Sequence, residues 1–477
     1  MKHLWLPLKL TFLWMVLLCI AAFLDFDGCG AKSSNAPPTP SLSEKIKHVV
    51  IIFQENRTPD NLFQDPVLIS RGAEIQSFGI SSKGQTIVLT PAPMKIDYDQ
   101  DHSHIAFQRM YDNGRMDGAD LIDTFCNTDA PPPCPPPNPA FQYIQASDAA
   151  PYYELAETYT FGDRMFQTNQ GPSFPAHQFI ISGTSAPSTG SNLFAAENPF
   201  KIADPFDVSG CIAPAEERVA LITPTGDESQ LVYPCFDHPT LTDLLDVANI
   251  DWRYYAPLPG IIWNAPNAIQ HMCVPNVAPP NANACTGPDW TNHVVLKSSQ
   301  ILTDIANGQL AAMSWVIPTG ASSDHAAITD GSGPAWVASI VNAIGNSRYW
   351  ASIAIIITWD DWGGWYDHVP PPAVINSYEY GFRVPLIVVS PYAKAGYISH
   401  QVNDFGSILK FVEQTFELPN VAPGSSPAYA DATSHTGDLS DCFDFTQTPL
   451  TFQTIPTPID ANHFLEDKAP PVAPDND

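Results

Sequence analysis

Positive charge is scarce in this chain: 21 lysines and arginines stand against 50 aspartates and glutamates, a formal net charge of -29 over 477 residues. Such a surface repels nucleic-acid phosphates, so non-specific nucleic-acid binding is excluded, and the surplus carboxylates are read as a solubilising surface. No two cysteines have CxxC spacing, which argues against a thiolate metal cage. There is no internal repeat, so repeat architectures are set aside. Proline is plentiful, at 48 residues, and points to long extended connections rather than a helical bundle.

Residues 1–28 read as an export signal, with "MKHLWLPLKL" ahead of the apolar run "TFLWMVLLCIAAFL". A Pro/Ser-rich tether, 29–45, follows. Cys29 stands behind a glycine, as at a lipoprotein cleavage site, although Phe26 and Asp27 replace the usual aliphatic and small residues. Membrane attachment through a lipidated Cys29, a plainly cleaved signal and an uncleaved anchor are the three expectations. All place the protein outside the cytoplasm: periplasmic, anchored to the outer membrane or extracellular. Cys126, Cys134, Cys211, Cys235, Cys273 and Cys285 fall into three neighbouring couples in loop-like sequence, so local disulfides are expected, with Cys442 left over as a buried thiol.

Short apolar runs alternate with helical stretches. "KHVVIIF", "LAAMSWVIP", "ASIAIIITW" and "RVPLIVVSPYA" read as strands, and "GPAWVASIVNAIGNSRYW" and "DFGSILKFVEQTFEL" as helices. The alternation predicts an α/β fold around a mostly parallel sheet flanked by helices. Segments 188–236 and 255–300 lack periodicity and read as loop insertions. The tail after Leu418 reads as peripheral.

The stretch "IIITWDDWGGWYDHV", Ile355 to Val369, ends a buried strand in two adjacent carboxylates. Ligands of open α/β sheets bind beyond the carboxyl ends of the strands, and Asp360 and Asp361 stand at such an end. They repel one another unless a cation or a shared proton compensates. The following glycines would let the backbone pass close to a bound group. A second strand, "HVVIIF", delivers Gln54, Glu55 and Asn56, and oxygen donors of these types suit a hard divalent cation. Either end alone has a simpler reading, with the aspartates capping a turn and Glu55 pairing with Arg57; two such ends in one chain favour a cation.

In "NQGPSFPAHQFIISGT", Ser173 opens a helix. Helix-start serines are commonly N-caps, but the same position would stabilise an alkoxide nucleophile or a phosphate. His102, His104, His325 beside Asp324, and His368 are further candidates, with His325 on the same rim of the sheet. A lone histidine is more often a structural hydrogen-bonder.

Taken in order, "HVVIIFQENRTPDNLF", "DHSHIAF…NGRMDG", "NQGPSFPAHQFIISGT", "WVIPTGASSDH", "TWDDWGGWYDHV" and "YGFRVPLIVVSPYAKAGYI" resemble the motifs of a bacterial phosphoesterase family. That family includes non-zinc phospholipases C and a branch of acid phosphatases, in the alkaline-phosphatase-like superfamily. The resemblance implies an alkaline-phosphatase-like domain over 46–418, with a C-terminal extension over 419–477 packed on the domain or trailing it. It implies one divalent metal ion, calcium or zinc, held by Glu55, Asn56, Asp360, Asp361 and Ser173. Ser173 is also the implied nucleophile, and His102 and His325 contact the phosphate or shuttle protons, with His104 as the alternative to His102. Many members carry glutamate at Asp361, proline at Ala326, threonine at Ser173 and extra C-terminal β-domains. This chain has no room for such domains after Leu418, which brings it nearer the phosphatase branch.

The expected function is therefore an exported, metal-assisted phosphoric ester hydrolase acting on a phosphate ester or phospholipid headgroup. Phospholipase C-like diester cleavage leads, with phosphomonoester hydrolysis as the alternative. Sulfate esters are set aside because no CxPxR stretch is present. A surface lipoprotein that binds phosphorylated headgroups without turnover is the reading from a different class, and the intact Ser173 motif stands against it.

Overall fold

The two longest apolar runs, His48–Gln54 (β1) and Ile353–Trp359 (β6), lie side by side as parallel strands. In the computed structural model, residues 41–200, 208–278, 281–372, 377–433 and 435–471 are described. The export signal and Cys29 lie outside them. The remaining strands of the central sheet are β2 (Thr160–Phe166), β3 (Trp252–Tyr255), β4 (Val294–Val295), β5 (Met313–Val316), β7 (Arg383–Val389) and β8 (Tyr397–Ser399). Their order is β4-β3-β5-β1-β6-β7-β2-β8. All neighbours are parallel except β7, which runs antiparallel to both β6 and β2. The sheet is thus mostly parallel, as expected.

Every residue of β6 is buried, and so is every residue of β1 after His48. Strands covered on both faces need no polar alternation, which is why these runs are continuously apolar. Helix Ala146–Thr158 (α1) packs against Gly333–Gly345 (α3), and Ser173–Ser182 (α2) against Phe405–Phe416 (α4). All ten residues of α2 are buried, so its sequence shows no polar face.

The register fixes the site. Gln54 pairs with Trp359, so the residues that leave the two strands, Glu55 and Asp360, emerge next to each other. The same register sets Ile51 between Trp315 of β5 and Ile356 of β6, in the middle of the core.

The insertion 188–236 is built locally, whereas 255–300 also supplies β4 to the edge of the central sheet. Phe194–Ala195, Val219–Ile222 and Gln230–Val232 form a three-stranded antiparallel sheet. Disulfides join Cys126 to Cys134, Cys211 to Cys235 and Cys273 to Cys285. Cys442 is a buried free thiol, and burial pushes its pKa well up, which keeps it unreactive.

The segment after Leu418 is packed on the domain rather than trailing it, and its anchors lie deeper than a peripheral tail's would. Val421, Tyr429, Leu439, Phe443, Ile455 and Phe464 are buried in the main core, the last from helix Ala461–Glu466 (α5). These anchors are single apolar residues separated by irregular polar stretches, so no period reveals them. Another contact of this segment joins two carboxyls: Glu413 of α4 faces Asp431, and Glu413 Oε1 and Asp431 Oδ1 are buried without a donor among the described residues. Two facing acceptors need a proton between them, and burial followed by the field of Asp431 pushes Glu413 up to about 8.

Two outcomes follow. Because the folded pKa of Glu413 lies above its unfolded value, the shared proton stabilises the fold at acid pH, and that contribution falls away as pH rises from about 4.5 to about 8. Denaturant unfolding at several pH values should show Glu413→Gln flattening this decline by at least about 1 kcal/mol; an unchanged slope would exclude the shared proton. Mass mapping of the unreduced protein should recover the three local pairs, with Cys442 free. Any exchange of partners among the six would contradict it.

Candidate active site

Where β1 ends, Glu55 is fully buried and Asn56 turns the chain with a φ of 61°. The left-handed turn brings the Asn56 amide onto Asp360 Oδ1 at 2.9 Å, and the Asp361 amide donates to the same oxygen at 2.8 Å. Asp361 Oδ1 accepts the Gly363 amide at 2.7 Å. The turn-capping reading of these aspartates is therefore half right, since one oxygen of each carboxylate holds the turn. The other oxygens do something else.

Gly363 and Gly364 have a different role from the one expected. Both have positive φ, and a Cβ on Gly363 would lie 2.5 Å from Asn56 Cβ, while one on Gly364 would lie 2.5 Å from Gln100 Cβ. The glycines admit the neighbouring backbone of Asn56 and Gln100 rather than a bound group. This close approach carries the segment Gln100–His102 to the carboxylates.

Ser173 is the first residue of α2, and the N-cap position is Pro172, which has no side chain to cap with. Instead of serving the helix, the Ser173 hydroxyl donates to Asp361 Oδ2 at 3.3 Å and also lies against Asp360. The reading of Ser173 as an N-cap is thereby corrected: proline at N-cap shifts the helix start by one residue. One turn along, His177 Nε2 lies 3.2 Å from Glu55 Oε1 and 3.9 Å from Asp360 Oδ2. Sequence reasoning missed His177, although the i, i+4 spacing from Ser173 on one helix face was available to find it.

His102 joins from the other side. Its Nδ1–H donates to the Gln100 carbonyl at 2.7 Å, and its Nε2 accepts from Asn56 Nδ2 at 3.3 Å and stands 4.0 Å from Asp361 Oδ2. His325 lies edge-on to it with ring centroids 5.8 Å apart, its Nδ1 on the Ala326 carbonyl at 2.8 Å. Arg57 does not pair with Glu55. Its Nε and Nη2 donate to the Asp324 carbonyl at 3.0 and 2.6 Å, tying the end of β1 to the peptide that precedes His325. The Asp324 carboxylate accepts from Tyr152 and Trp359, and burial pushes it up to about 6.

Seven of the nine candidate residues thus share one buried cluster: Glu55, Asn56, His102, Ser173, His325, Asp360 and Asp361. Its electrostatics ask for positive charge. Burial, then the fields of Asp360 and Asp361, push Glu55 far above the usual carboxylate range. Asp360 is held below its usual value, against its own burial, by hydrogen bonds from Glu55, Ser173 and the Asn56 amide and by the field of His177. Burial pushes His177 down to about 4. Glu55 Oε2, Asn56 Oδ1 and Asp360 Oδ2 are buried with no partner among the described residues. Ligand atoms of Glu55, His177 and Asp360 lie within 4.8 Å of one another. Oxygens without donors around such a space, with one imidazole, fit a divalent cation.

The family model described as "Phosphoesterase family" matches residues 46–419 of this chain. The chain belongs to the Phosphoesterase family. It is similar to a hemolytic phospholipase C of Pseudomonas aeruginosa, 24% identical over 84% of this chain and 56% of that protein. It is also similar to phospholipase C B of Mycobacterium tuberculosis, 23% identical over 88% of this chain and 81% of that protein. The chain spans just over half the length of the two Pseudomonas phospholipases C that it matches, 56% and 57%. A solved structure of a protein in the alkaline phosphatase superfamily from Vibrio parahaemolyticus aligns at TM-score 0.35 and 10% identity, over 79% of this chain and 68% of that one.

Two candidate histidines of this chain stand apart from the cluster. His104 Nδ1 is bound by Glu228, its Nε2 meets Gln170 at 3.2 Å, and its amide donates to Glu197 at 3.0 Å. Burial opposes its charge, but Glu228 and Gln170 raise its pKa. Burial and Glu228 in turn push Glu197 up to about 8. The structure therefore sets His102, not His104, beside Asn56 and Asp361. His368 Nδ1 lies 2.6 Å from Asp60 Oδ2, in a group with Asp367 that could by distance hold a metal.

That second group already has its cation. Arg383 donates to Asp367 through Nε at 2.9 Å and Nη2 at 3.0 Å, reaches Asp60 at 3.4 Å, and is fully buried. Arg383→Met leaves Asp60 and Asp367 buried without their counter-charge, so denaturant unfolding should show a loss of about 3–5 kcal/mol. A variant of native stability that had taken up a divalent metal would show instead that this is a metal centre.

Proposed function

We propose that this chain is a metal-assisted phosphoric ester hydrolase whose nucleophile is Ser173. The observation that carries the reading is the Ser173 hydroxyl, which donates to Asp361 at the mouth of α2 instead of capping the helix. Glu55, Asn56, Asp360 and Asp361 would hold the ion, with Ser173 as a further ligand and His177 as an addition to the expected set. When bound, the cation supplies positive charge to phosphoryl oxygens and lowers the pKa of a nearby hydroxyl.

In the first step Ser173 Oγ forms a bond to phosphorus as the bond to the leaving oxygen breaks, and the departing alcohol takes a proton. In the second step water displaces Oγ from phosphorus, which restores the serine and releases the phosphate product. His102 and His325, each with Nδ1 on a backbone carbonyl, are held in fixed orientation to contact the phosphoryl group and to carry these protons. Phospholipase C-like diester cleavage leads, supported by the names of the similar proteins. Phosphomonoester hydrolysis is the alternative. Binding of phosphorylated headgroups without turnover would leave the hydroxyl's placement without a purpose. We also place the protein outside the cytoplasm, and the three disulfides support that.

Purified protein assayed on p-nitrophenyl phosphorylcholine and p-nitrophenyl phosphate should hydrolyse the first faster and lose activity on chelation, with a lowered melting temperature that divalent metal restores. Predominant cleavage of the monoester would reassign it as a phosphatase, and full activity in excess chelator with no bound metal would remove the cation from the mechanism. Ser173→Ala deletes no cap, so it should unfold within about 1 kcal/mol of the parent. Its turnover should fall at least about a thousandfold. Near-normal turnover in that variant would pass the attack to water and end the serine mechanism.

A further inference from the structure

Asn198 lies in the insertion, just beyond the edge strand Phe194–Ala195, and is 5% exposed. Its Oδ1 accepts the amide of Phe174 at 2.9 Å. Phe174 directly follows Ser173 in the first turn of α2, so a residue 24 positions away in the chain does the capping that Pro172 cannot. Few other donors exist at this helix start. The first turn of any helix leaves N–H groups without intrahelical acceptors, but Pro172 and Pro175 have no N–H. The amides of Ser173 and Phe174 remain, and Asn198 takes the second. Phe174 is buried, so its amide would otherwise be left unpaired at a cost.

The insertion is fixed on both sides of Asn198. The Ala196 amide donates to the Ala220 carbonyl at 3.0 Å, and Phe200 and Arg218 exchange backbone hydrogen bonds of 2.7 and 3.0 Å. Ala195 donates to the Ser185 carbonyl at 2.9 Å, just past the far end of α2. The approach to the loop before Ser173 is equally close. A Cβ on Gly171 would lie 2.0 Å from the Ala196 carbonyl oxygen, so only glycine admits the insertion there. Gln167 Nε2 and Asn169 Nδ2 hold the Gly171 carbonyl from within the loop, at 3.0 and 2.9 Å. Glu197, next to Asn198, accepts the His104 amide instead, so consecutive residues of one short segment touch the helix of Ser173 and the segment that carries His102.

We propose that Asn198 is a positioning residue for the nucleophile, an inference that rests on the serine mechanism above. By holding the Phe174 amide it sets the tilt of the first turn of α2, and with it the direction of Ser173 Oγ relative to Asp361 and to the phosphorus it attacks. Asn198 itself makes no bond to the substrate. Misplacing an attacking atom by about 1 Å costs on the order of a hundredfold in rate, so a cap one residue from the nucleophile acts on turnover as well as on stability.

The test measures kcat, KM and melting temperature on the chromogenic ester that the parent cleaves faster. Asn198→Ala should lower kcat by about tenfold to a hundredfold with KM within about twofold, because alignment and not binding is lost. Asn198→Asp keeps an acceptor for the Phe174 amide and should recover most of that loss. Asp460→Ala removes an ordinary cap, the carboxylate that holds the Asn462 amide at 2.8 Å at the start of α5, and should leave kcat unchanged. If Asn198→Ala does not fold, Asn198→Ser, whose hydroxyl is too short to reach the amide, takes its place with the same expectation. Parental kcat in the folded variant, a change confined to KM, a loss that Asn198→Asp does not recover, or an equal loss in Asp460→Ala would each reduce Asn198 to a plain helix cap. Near-normal turnover in Ser173→Ala would instead remove the serine mechanism and this inference with it, so the two failures are told apart.

Discussion

The constraint on which this structure turns is the repulsion among Glu55, Asp360 and Asp361, three fully buried carboxyls brought together by the pairing of Gln54 with Trp359. Left in low dielectric without compensation, each charge would cost several kcal/mol. The protein answers with backbone amides. Asn56, Asp361 and Gly363 give their N–H groups to the inner oxygens, and the Ser173 hydroxyl takes an outer oxygen of Asp361. These donors offset part of the charge and leave oxygens of Glu55, Asn56 and Asp360 unsatisfied, which is the arrangement a cation completes.

The surroundings keep this arrangement rigid. Both strands that deliver the carboxyls are central in the sheet, so neither end can fray independently of its neighbours. Arg57 converts a buried positive charge into a tie between the end of β1 and the peptide before His325, and the ring of Trp365 lies 5.0 Å from its guanidinium. Arg383 plays a different part on the same rim, as the counter-ion of Asp60 and Asp367. Two buried arginines close to so many carboxylates separate the acidic groups that are already neutralised from those that are not.

The geometry is most informative at Ser173. A helix-start serine carries little information alone, because capping is its commonest use. Here proline occupies the cap, and the hydroxyl is turned toward the aspartates of another strand 188 residues away. The insertion from 188 to 236 contributes Glu197 and Glu228, which engage His104, whereas His102 stands beside Asn56 and Asp361.

Much was legible in the chain because it depends on neighbours in sequence. Continuous apolar runs marked the central strands, the short spacing of six cysteines marked three disulfides, and the motifs marked the residues now clustered around Asp360. His177 escaped notice because only its position one turn beyond Ser173, combined with the approach of β1, makes it a partner of Glu55. The buried anchors after Leu418 escaped because isolated apolar residues have no period. Sequence by itself determined which groups are available and which segments are buried on both faces, since these follow from composition and local periodicity. Only the tertiary structure decided which carboxylates must share one space, which histidine stands beside them and which arginine has already been spent on another pair, because those depend on strand register and on contacts between residues far apart in the chain.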